Sequence, residues 1–328
     1  MRTVLLDRKR NPAVSIEVSN LTKRYGSTYA VKDASFQVQP GQVTGFLGPN
    51  GAGKSTTMRA IVGLDHPTSG SVTIGGRTYA KLRAPLREVG ALLDAKSAHK
   101  SRTARNHLRT VAATCGISRR RVDEVLDLAG LTSVANKRLS GFSLGMGQRL
   151  GLAVALLGDP HTLILDEPVN GLDPDGVTWI RHLLRELADE GRTVFLSSHL
   201  LGEMSLIADH IVVIGKGEIL ADAPVSEFVQ AGDLVRVKTP DAGRLAQVLA
   251  APNVTTKYDV SGYLDVEGLT AEQIATTAAR AGLMLFEVTP IQRSLEDAYR
   301  DLTRESVQYR SEHTSALPTD ASDPRDRR

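Results

Sequence analysis

Short apolar runs alternate with stretches of helical spacing over residues 13–223. The runs VSIEVS, VTGFLG, TLILD, TVFLSS and HIVVIG (14–19, 43–48, 162–166, 193–198 and 210–215) predict strands. The last three are apolar almost throughout, which is typical of strands that helices cover on both faces. The pattern therefore predicts an α/β core at 13–223 with a parallel or mixed sheet.

The strand pattern stops between about 94 and 158, where helical periodicity replaces it. The segments RRRVDEVLDLAGL and GQRLGLAVALL carry apolar residues three and four positions apart. We therefore predict a helical insertion at about 94–158 within the core.

A second unit is predicted at 224–305. Its runs follow the order strand, helix, strand, strand, helix, strand, which is that of a ferredoxin-like α+β unit, and SLEDAYRDLTRE predicts a closing helix. The polar remainder at 306–328, rich in Ser, Thr, Asp, Pro and Arg, predicts a disordered tail.

Composition and charge exclude few classes of binding partner. The 328 residues contain 40 basic and 37 acidic side chains, so no strongly charged partner is implied, and the 4% aromatic content argues against a base-stacking platform. We expect no nucleic-acid partner. The basic cluster Arg8, Lys9 and Arg10 predicts a solvated arm at 1–12, and the single cysteine, Cys115, is interpreted as ordinary packing.

The stretch GPNGAGKST matches the pattern G-x-x-x-x-G-K-S/T, and it stands between a predicted strand and a predicted helix. Glycines let successive backbone N–H groups turn toward phosphate oxygens, and the helix N-terminus adds donors and partial positive charge. This pattern predicts a site for the triphosphate of a nucleotide. Its residues are Gly48, Pro49, Asn50, Gly51, Ala52, Gly53, Lys54, Ser55 and Thr56.

This motif and two strand ends indicate which side chains would take part in the reaction. Lys54 is predicted to reach the β and γ phosphates and Ser55 to ligate Mg²⁺. Asp166 and Glu167 end an apolar strand, where Asp166 would hold Mg²⁺ directly or through water, and Glu167 would orient or deprotonate the attacking water. His199 ends another buried strand, where a structural role is the alternative.

The ordered motifs GPNGAGKST, FSLGMGQRLGLA, LILDEP, NGLDP and SSH resemble the ATP-binding subunit of an ABC transporter over roughly 14–222. In that family two such domains dimerise head to tail and sandwich ATP. The resemblance implies that Ser143 and Gly145 face the γ phosphate of a second copy. It further implies that Tyr25 stacks on adenine, with core packing as the alternative, that Asp173 couples the two sites, and that His199 contacts the γ phosphate.

The sequence departs from the family pattern at two places. Asp94 in VGALLDAK stands where many members have a glutamine, and we predict that this acid approaches Mg²⁺. Leu144 and Met146 replace the glycine and glutamine of the common signature segment. Leu144 adds a side chain where backbone approaches phosphate, which predicts either a tolerant site or slow hydrolysis.

The S-L-G-M variant, GALLD, TARNHL and the ending SLEDAYRDLTRE are similar to ATP-binding subunits of bacterial exporters of the bacitracin and daunorubicin resistance type. This implies a separate polytopic permease, whose coupling helix would dock near 94–107. No apolar run spans a bilayer, and the N-terminal apolar stretch is too short for a secretory signal. We therefore expect a cytoplasmic protein, peripheral on the inner face of the cell membrane through its permease.

Two other functions compete with transport. A non-transport ABC ATPase would act on ribosomes or DNA, but paired cores or long heptad arms, usual in such proteins, are absent from the sequence. A small-molecule P-loop kinase leaves NGLDP and SLGMGQR unexplained.

Overall fold

The computed structural model describes residues 14–94, 98–229, 234–259, 262–291 and 294–303. The predicted arm at 1–12 and tail at 306–328 lie outside these residues. Nine strands form the two sheets of the core: β1 Ile16–Tyr25, β2 Thr28–Val38, β3 Val43–Leu47, β4 Ser69–Ile74, β5 Val89–Leu92, β6 Thr162–Leu165, β7 Thr193–Ser198, β8 His210–Gly215 and β9 Glu218–Pro224.

Eight helices belong to the same part of the chain, and most follow a strand. They are α1 Lys54–Ile61, α2 Pro85–Glu88, α3 Ala104–Thr114, α4 Arg119–Leu128, α5 Leu144–Leu156, α6 Pro174–Asp189, α7 Leu201–Ile207 and α8 Val225–Val229. The prediction of an α/β core is confirmed.

The larger sheet has the strand order β5-β6-β7-β3-β8-β9, in which neighbours pair in parallel except β9, which runs antiparallel to β8. A smaller antiparallel sheet has the order β2-β1-β4. Every residue of β3, β6 and β7 is buried, in agreement with their continuous apolar pattern. Because parallel strands end at one edge, β3, β6 and β7 deliver the residues that follow them to a common place.

Apolar clusters fill both sides of the larger sheet. On the side facing the smaller sheet, Phe36, Phe46 and Phe195 lie with ring centroids 5.2–5.7 Å apart. The other side packs against α5, α6 and α7 through residues such as Leu184 and Met204. Burial of this apolar surface is the main stabilising contribution to the core.

The described elements between β5 and β6 are helices, namely α3, α4, α5 and two short 3₁₀ turns. Each of the three α-helices begins after a residue whose hydroxyl accepts a hydrogen bond from a backbone N–H three positions on: Thr103, Ser118 and Ser143. Such caps satisfy a free N–H of the first turn and define where the helix begins.

Cys115 lies just after α3 and is exposed, so the prediction that it packs inside the fold is wrong. The residue follows the last turn of α3, beyond the face that buries Leu108 and Ala112. Cys115 is exposed because the apolar face of α3 ends at Ala112, three residues earlier.

The second unit contains β10 Leu234–Lys238, α9 Ala242–Leu249, β11 Thr255–Tyr258, β12 Leu264–Glu267, α10 Ala271–Arg280 and β13 Glu287–Pro290. Its sheet has the order β11-β12-β10-β13 with antiparallel pairs throughout. A separate apolar cluster with Leu245, Leu249 and Ile274 lies between this sheet and its two helices. The last described helix, α11 Leu295–Thr303, returns to the core and contacts α7, α8 and β9.

Among the residues that the structure describes, no helix is both long enough and apolar enough to cross a membrane.

Candidate functional site

The loop between β3 and α1 is held against neighbouring strands so closely that its outer glycines have no room for a side chain. A Cβ on Gly48 would lie 2.4 Å from the carbonyl oxygen of Ile214, and one on Gly53 would lie 2.5 Å from that of Ala30. Gly53 also has a φ of 113°, a conformation that only glycine adopts without strain. The loop therefore forms a backbone-lined cradle at the start of α1.

Lys54 is 7% exposed, and its ammonium group folds back over the loop. The Nζ donates hydrogen bonds to the carbonyl oxygens of Gly48 at 2.6 Å and Pro49 at 3.3 Å. Burial lowers the pKa of Lys54, while Glu167 and Asp166 act to raise it. A buried cation with carbonyl partners alone is ready to exchange them for an anion.

Asp166 follows β6 and links α1 with β7 through its carboxylate. Its Oδ2 accepts a hydrogen bond from the Ser55 hydroxyl at 2.6 Å, and its Oδ1 accepts one from the Ser197 hydroxyl at 2.5 Å. Ser55 is the second residue of α1, and Ser197 lies near the end of β7. The predicted magnesium ligands Ser55 and Asp166 are therefore brought into contact.

Glu167 has a positive φ of 51°, uncommon outside glycine, and three neighbours fix this conformation. Its N–H donates to the Ser197 hydroxyl at 2.9 Å, and its carbonyl oxygen accepts from Gln148 Nε2 at 2.9 Å. Its Oε2 lies 2.7 Å from Nδ1 of His199. Glu167 and His199 thus form a pair in which the Glu167 carboxylate is held in one orientation.

A cavity of about 340 Å³ opens over the cradle. Its wall contains Ala30, Asn50, Gly51, Gly53, Lys54, Ser55, Thr56, Leu93, Asp166 and Glu167. The glycine-lined loop, the buried ammonium group and the two carboxylates thus face one space, which suits a polyphosphate with a divalent cation.

Tyr25 stands beside this region and is 50% exposed. Its hydroxyl donates to Asp65 at 2.9 Å, and the ammonium group of Lys23 lies 5.0 Å from its ring centroid. Burial, followed by the contact with Asp65, raises the pKa of the Tyr25 hydroxyl, and Thr56 acts in the opposite direction. An exposed ring near Thr56 rules out the alternative that Tyr25 is a core residue.

Ser143 lies at the start of α5 and is exposed. Its hydroxyl accepts a hydrogen bond from the N–H of Met146 at 3.2 Å. The next residue, Leu144, is 51% exposed, and Gly145 packs so closely on the NGLDP segment that a Cβ would lie 2.9 Å from the carbonyl oxygen of Gly171. The start of α5 is thus open to solvent on one side and fixed to NGLDP on the other.

Asp173 occupies the equivalent position at the start of α6. Its Oδ1 accepts a hydrogen bond from the N–H of Gly176 at 2.9 Å, and its side chain is exposed. Asp173 is therefore a helix cap in the single chain.

The matches to known proteins agree with this geometry. A family model described as ABC transporter matches residues 31–170. The chain is 37% identical over 302 residues to the uncharacterized ABC transporter ATP-binding protein YhcH of Bacillus subtilis, covering 90% of this chain and 98% of that protein. The chain belongs to the ATP-binding subunits of ABC transporters.

Two further matches extend this assignment. The bacitracin transport ATP-binding protein BcrA of Bacillus licheniformis is 43% identical over 212 residues, which cover 64% of this chain and 69% of that protein. A dimeric ATP-binding cassette solved in a post-hydrolysis state with ADP and Pi is 26% identical, with a TM-score of 0.59, covering 64% of this chain and 98% of the cassette. The enzymatic activity of the ABC subunit is ATP hydrolysis. The predicted resemblance to exporter subunits is confirmed.

The second unit matches a different family, described as a domain of unknown function, DUF8746, over residues 233–296. This match begins close to β10 and ends within α11. The ABC match falls on the core, whereas this match covers the second unit with its own apolar cluster and reaches the start of α11, where Leu295 packs on the core.

The structure places Asp94 apart from the other predicted magnesium ligands. Asp94 lines a neighbouring cavity of about 380 Å³ together with Arg59, Tyr79 and His107, but it does not belong to the wall of the phosphate cavity, whereas the preceding residue, Leu93, lines both. The prediction that Asp94 approaches Mg²⁺ gains no support from this position.

Leu144 is also placed differently from what the sequence led us to expect. A Cβ on Gly171 would lie 2.3 Å from Leu144 Cδ2 and 2.4 Å from its Cγ, so the leucine side chain covers the α-carbon of Gly171. It therefore packs along NGLDP within its own chain, and its exposed half leaves the hydroxyl of Ser143 accessible.

Sequence reasoning missed two residues of the site, Ser197 and Gln148. Ser197 is buried and holds both Asp166 and the backbone of Glu167, and Gln148 holds Glu167 from α5. The position of Ser197, two residues before His199 at the end of a buried strand, was a usable signal. Gln148 offered none beyond its place on the signature helix.

The oxygens present fit a magnesium ion that is carried by a phosphate ligand. In the described part of the chain no group of three or more His, Cys, Asp or Glu side chains is arranged to hold a metal by itself. Mg²⁺ usually keeps several waters and takes one or two protein oxygens besides phosphate. The contact between Ser55 and Asp166 supplies such a pair.

Proposed function

We propose that this ABC ATPase binds Mg–ATP between two copies of the chain and drives a separate polytopic membrane permease that exports an amphiphilic antibiotic-like compound. The observation that supports this best is the continuous chain of hydrogen bonds Ser55–Asp166–Ser197–Glu167 beside the glycine cradle. The relatives named for bacitracin transport support the export role.

Each residue has a defined task in this proposal. Backbone N–H groups of 50–56 bind the phosphates, and Lys54 exchanges its carbonyl partners for phosphate oxygens. Ser55 and Asp166 hold the magnesium ion, which supplies charge neutralisation on the phosphates. Glu167, held in direction by His199, orients the attacking water and accepts its proton, and Tyr25 stacks on the adenine ring.

The second copy completes the site. Ser143 and Gly145 at the start of α5 would donate to the γ phosphate bound by the partner copy, and Asp173 would contact the partner across the interface. Closure of the two copies excludes water and turns hydrolysis into a change of dimer geometry. The dimeric cassette bound to ADP and Pi supports this arrangement.

The permease would dock on the groove between the helical insertion and the core. Two adjoining cavities of about 380 and 350 Å³ share Ala98 and Leu150 in their walls, and His107 lies in the first. Nδ1 of His107 is buried without a hydrogen-bond partner, and burial lowers the pKa of this imidazole. A short amphipathic helix of the permease could bury its apolar face here. The protein would then lie at the inner face of the membrane.

Affinity purification from native membranes tests this function. We expect tagged full-length protein to recover a polytopic membrane protein, and Ala98→Arg, which places a cation in the groove, to abolish that recovery. Ala113→Arg on the exposed side of α3 is the matched control and should retain the partner. Recovery of ribosomal or DNA-bound material, or equal recovery by both variants, would contradict the proposal.

A further inference from the structure

The C-terminal helix α11 is docked on the nucleotide-binding core through one face. Leu295 and Ala298 are 3% and 6% exposed and belong to the same apolar cluster as Phe228 of α8 and Met204 of α7. Burial raises the pKa of the Tyr299 hydroxyl to about 12, which agrees with a partly buried ring on this face. The helix is therefore an integral part of the core, although the chain reaches it only after the second unit.

The helix α7 lies between α11 and the strand that leads into the phosphate-binding loop. On its inner side, Met204 is fully buried, and a Cβ on Gly45 of β3 would lie 2.5 Å from its Sδ. On its other side, α7 contacts α11. Because no free space remains between α7 and β3, α7 keeps its position only while α11 and α6, which both contact it, stay packed against it.

The residues that begin α7 are those that follow His199. The N–H of Leu200 donates to the Ser198 hydroxyl at 3.0 Å, and α7 begins at Leu201. A displacement of α7 therefore acts on His199 within two residues, before any flexible segment can absorb it.

The first turn of α11 reaches this same segment. His199, Leu200, Leu201, Gly202 and Glu203 line a cavity of about 370 Å³ together with Glu296 of α11. Oε1 of Glu296 lies 4.0 Å from the position of a Cβ on Gly202, which is ordinary contact distance. Glu296 thus lies beside Gly202 in the first turn of α7, and it shares one cavity wall with His199.

We propose that α11 positions His199 for its contact with Glu167 and the γ phosphate by holding α7 in place, with Leu295 as the main positioning residue and Glu296 as a second. The inference rests on the proposed role of His199 in ATP hydrolysis. It also gives the second unit a route to the nucleotide site, because the chain leaves α8, passes through that unit and returns as α11, which contacts α8.

Hydrogen exchange on the full-length protein without nucleotide tests the mechanical part. Leu295→Ala should increase exchange of the backbone amides of 199–207 by about 2- to 30-fold, the range that remote packing residues exert on a coupled site. Leu249→Ala is the matched control, since Leu249 is also 3% exposed but packs within the second unit. Equal exchange of 199–207 in both variants would overturn the proposal.

Single-turnover ATP hydrolysis tests the catalytic part. Leu295→Ala should lower the rate by a similar factor and leave the affinity for a fluorescent ATP analogue unchanged, because the phosphate loop is untouched. Glu296→Gln preserves the size of an exposed side chain and should also lower the rate. The matched control is Glu272→Gln, an exposed acid in the first turn of α10, which should leave the rate unchanged.

A double-mutant cycle separates positioning from general destabilisation. In a His199→Ala background, Leu295→Ala should produce no further loss of rate, since a residue that acts through His199 has nothing left to act on. Additive losses would overturn the assignment of Leu295. Full turnover by His199→Ala alone would remove the proposed role of His199, and with it the catalytic part of the inference, while hydrogen exchange still decides whether α11 holds α7.

Discussion

The two halves of the nucleotide site differ in how their polar groups are satisfied within one chain. In the phosphate-loop half, Lys54, Asp166 and Glu167 are hydrogen-bonded to neighbouring strands and loops. In the signature half, Ser143 and Asp173 are exposed, and the bond described for each hydroxyl or carboxylate is to the first turn of its own helix. One half is organised in the monomer, whereas the other presents two capped helix starts to a partner.

This difference separates binding from turnover. A preorganised half binds nucleotide without a second copy, because its donors need no rearrangement beyond exchange of partners. The exposed half contributes when a second copy closes over the phosphate. Changes to the phosphate-binding groups of the first half should therefore affect ATP affinity, whereas changes in the second half, or loss of the proton acceptor Glu167, should affect hydrolysis.

The largest effect is expected for Lys54→Ala. Removing one member of a buried charged contact costs about 2–5 kcal/mol, so ATP affinity should fall by roughly 30-fold or more, and turnover with it. Titration with a fluorescent ATP analogue measures the affinity. The control is Lys32→Ala, an exposed lysine paired with Glu218 on the surface, which should bind normally. Normal hydrolysis by Lys54→Ala would remove the phosphate-loop assignment.

Glu167→Gln should separate the two halves most clearly. The amide preserves size but loses the proton acceptor, so turnover should fall by about 10²- to 10⁴-fold while ATP binding is retained. Without hydrolysis, the ATP-bound dimer should accumulate and elute as a larger species in size-exclusion chromatography. Glu186→Gln, an exposed acid of α6, is the control. Unchanged turnover together with an unchanged elution volume would argue against Glu167 as the hydrolytic residue.

Much of the first half could be predicted because its residues are contiguous in the sequence. GPNGAGKST and the pair Asp166 and Glu167 each combine a chemical signal with a position at the end of an apolar strand. The contacts of Ser197 and Gln148 with Glu167 span 30 and 19 positions and exist only in the folded chain, so the sequence offered the strand-end position of Ser197 as a signal and none for Gln148.

Three of the strands that the sequence pattern missed share a physical property. β2 and β4 alternate or are largely exposed, and β9 is half-exposed, so none of these three gives the continuous apolar run of a buried parallel strand. In the second unit, the last predicted strand is the apolar run LMLFEV at 283–288, whereas β13 spans Glu287–Pro290. Met284 and Phe286 of this run are 65% and 63% exposed. An apolar run marks a strand only where another surface covers it.

Ser143→Ala addresses the exposed half directly. Loss of a hydrogen bond to a charged phosphate corresponds to about 1.5–3 kcal/mol, so turnover should fall roughly tenfold or more with unchanged monomer affinity for ATP. Stability should fall by about 1 kcal/mol through loss of the helix cap. Ser118→Ala removes an equivalent cap, with a 3.3 Å bond to Arg121 N, and should lower stability alone. Equal turnover in the two variants would place Ser143 outside the site.

The smallest effect is expected for Leu144→Gly, which restores the glycine of the common signature segment. Because the leucine side chain lies along Gly171 of its own chain, it does not block the Ser143 hydroxyl, and its removal should not raise steady-state turnover. Thermal unfolding should show a loss of about 1 kcal/mol from the lost contact and from glycine in the first turn of α5. Leu144→Ala separates these contributions, since it removes the contact but keeps helix propensity. A several-fold gain in turnover would instead mean that Leu144 holds the two copies apart, and that the exposed half is limited by its own side chain.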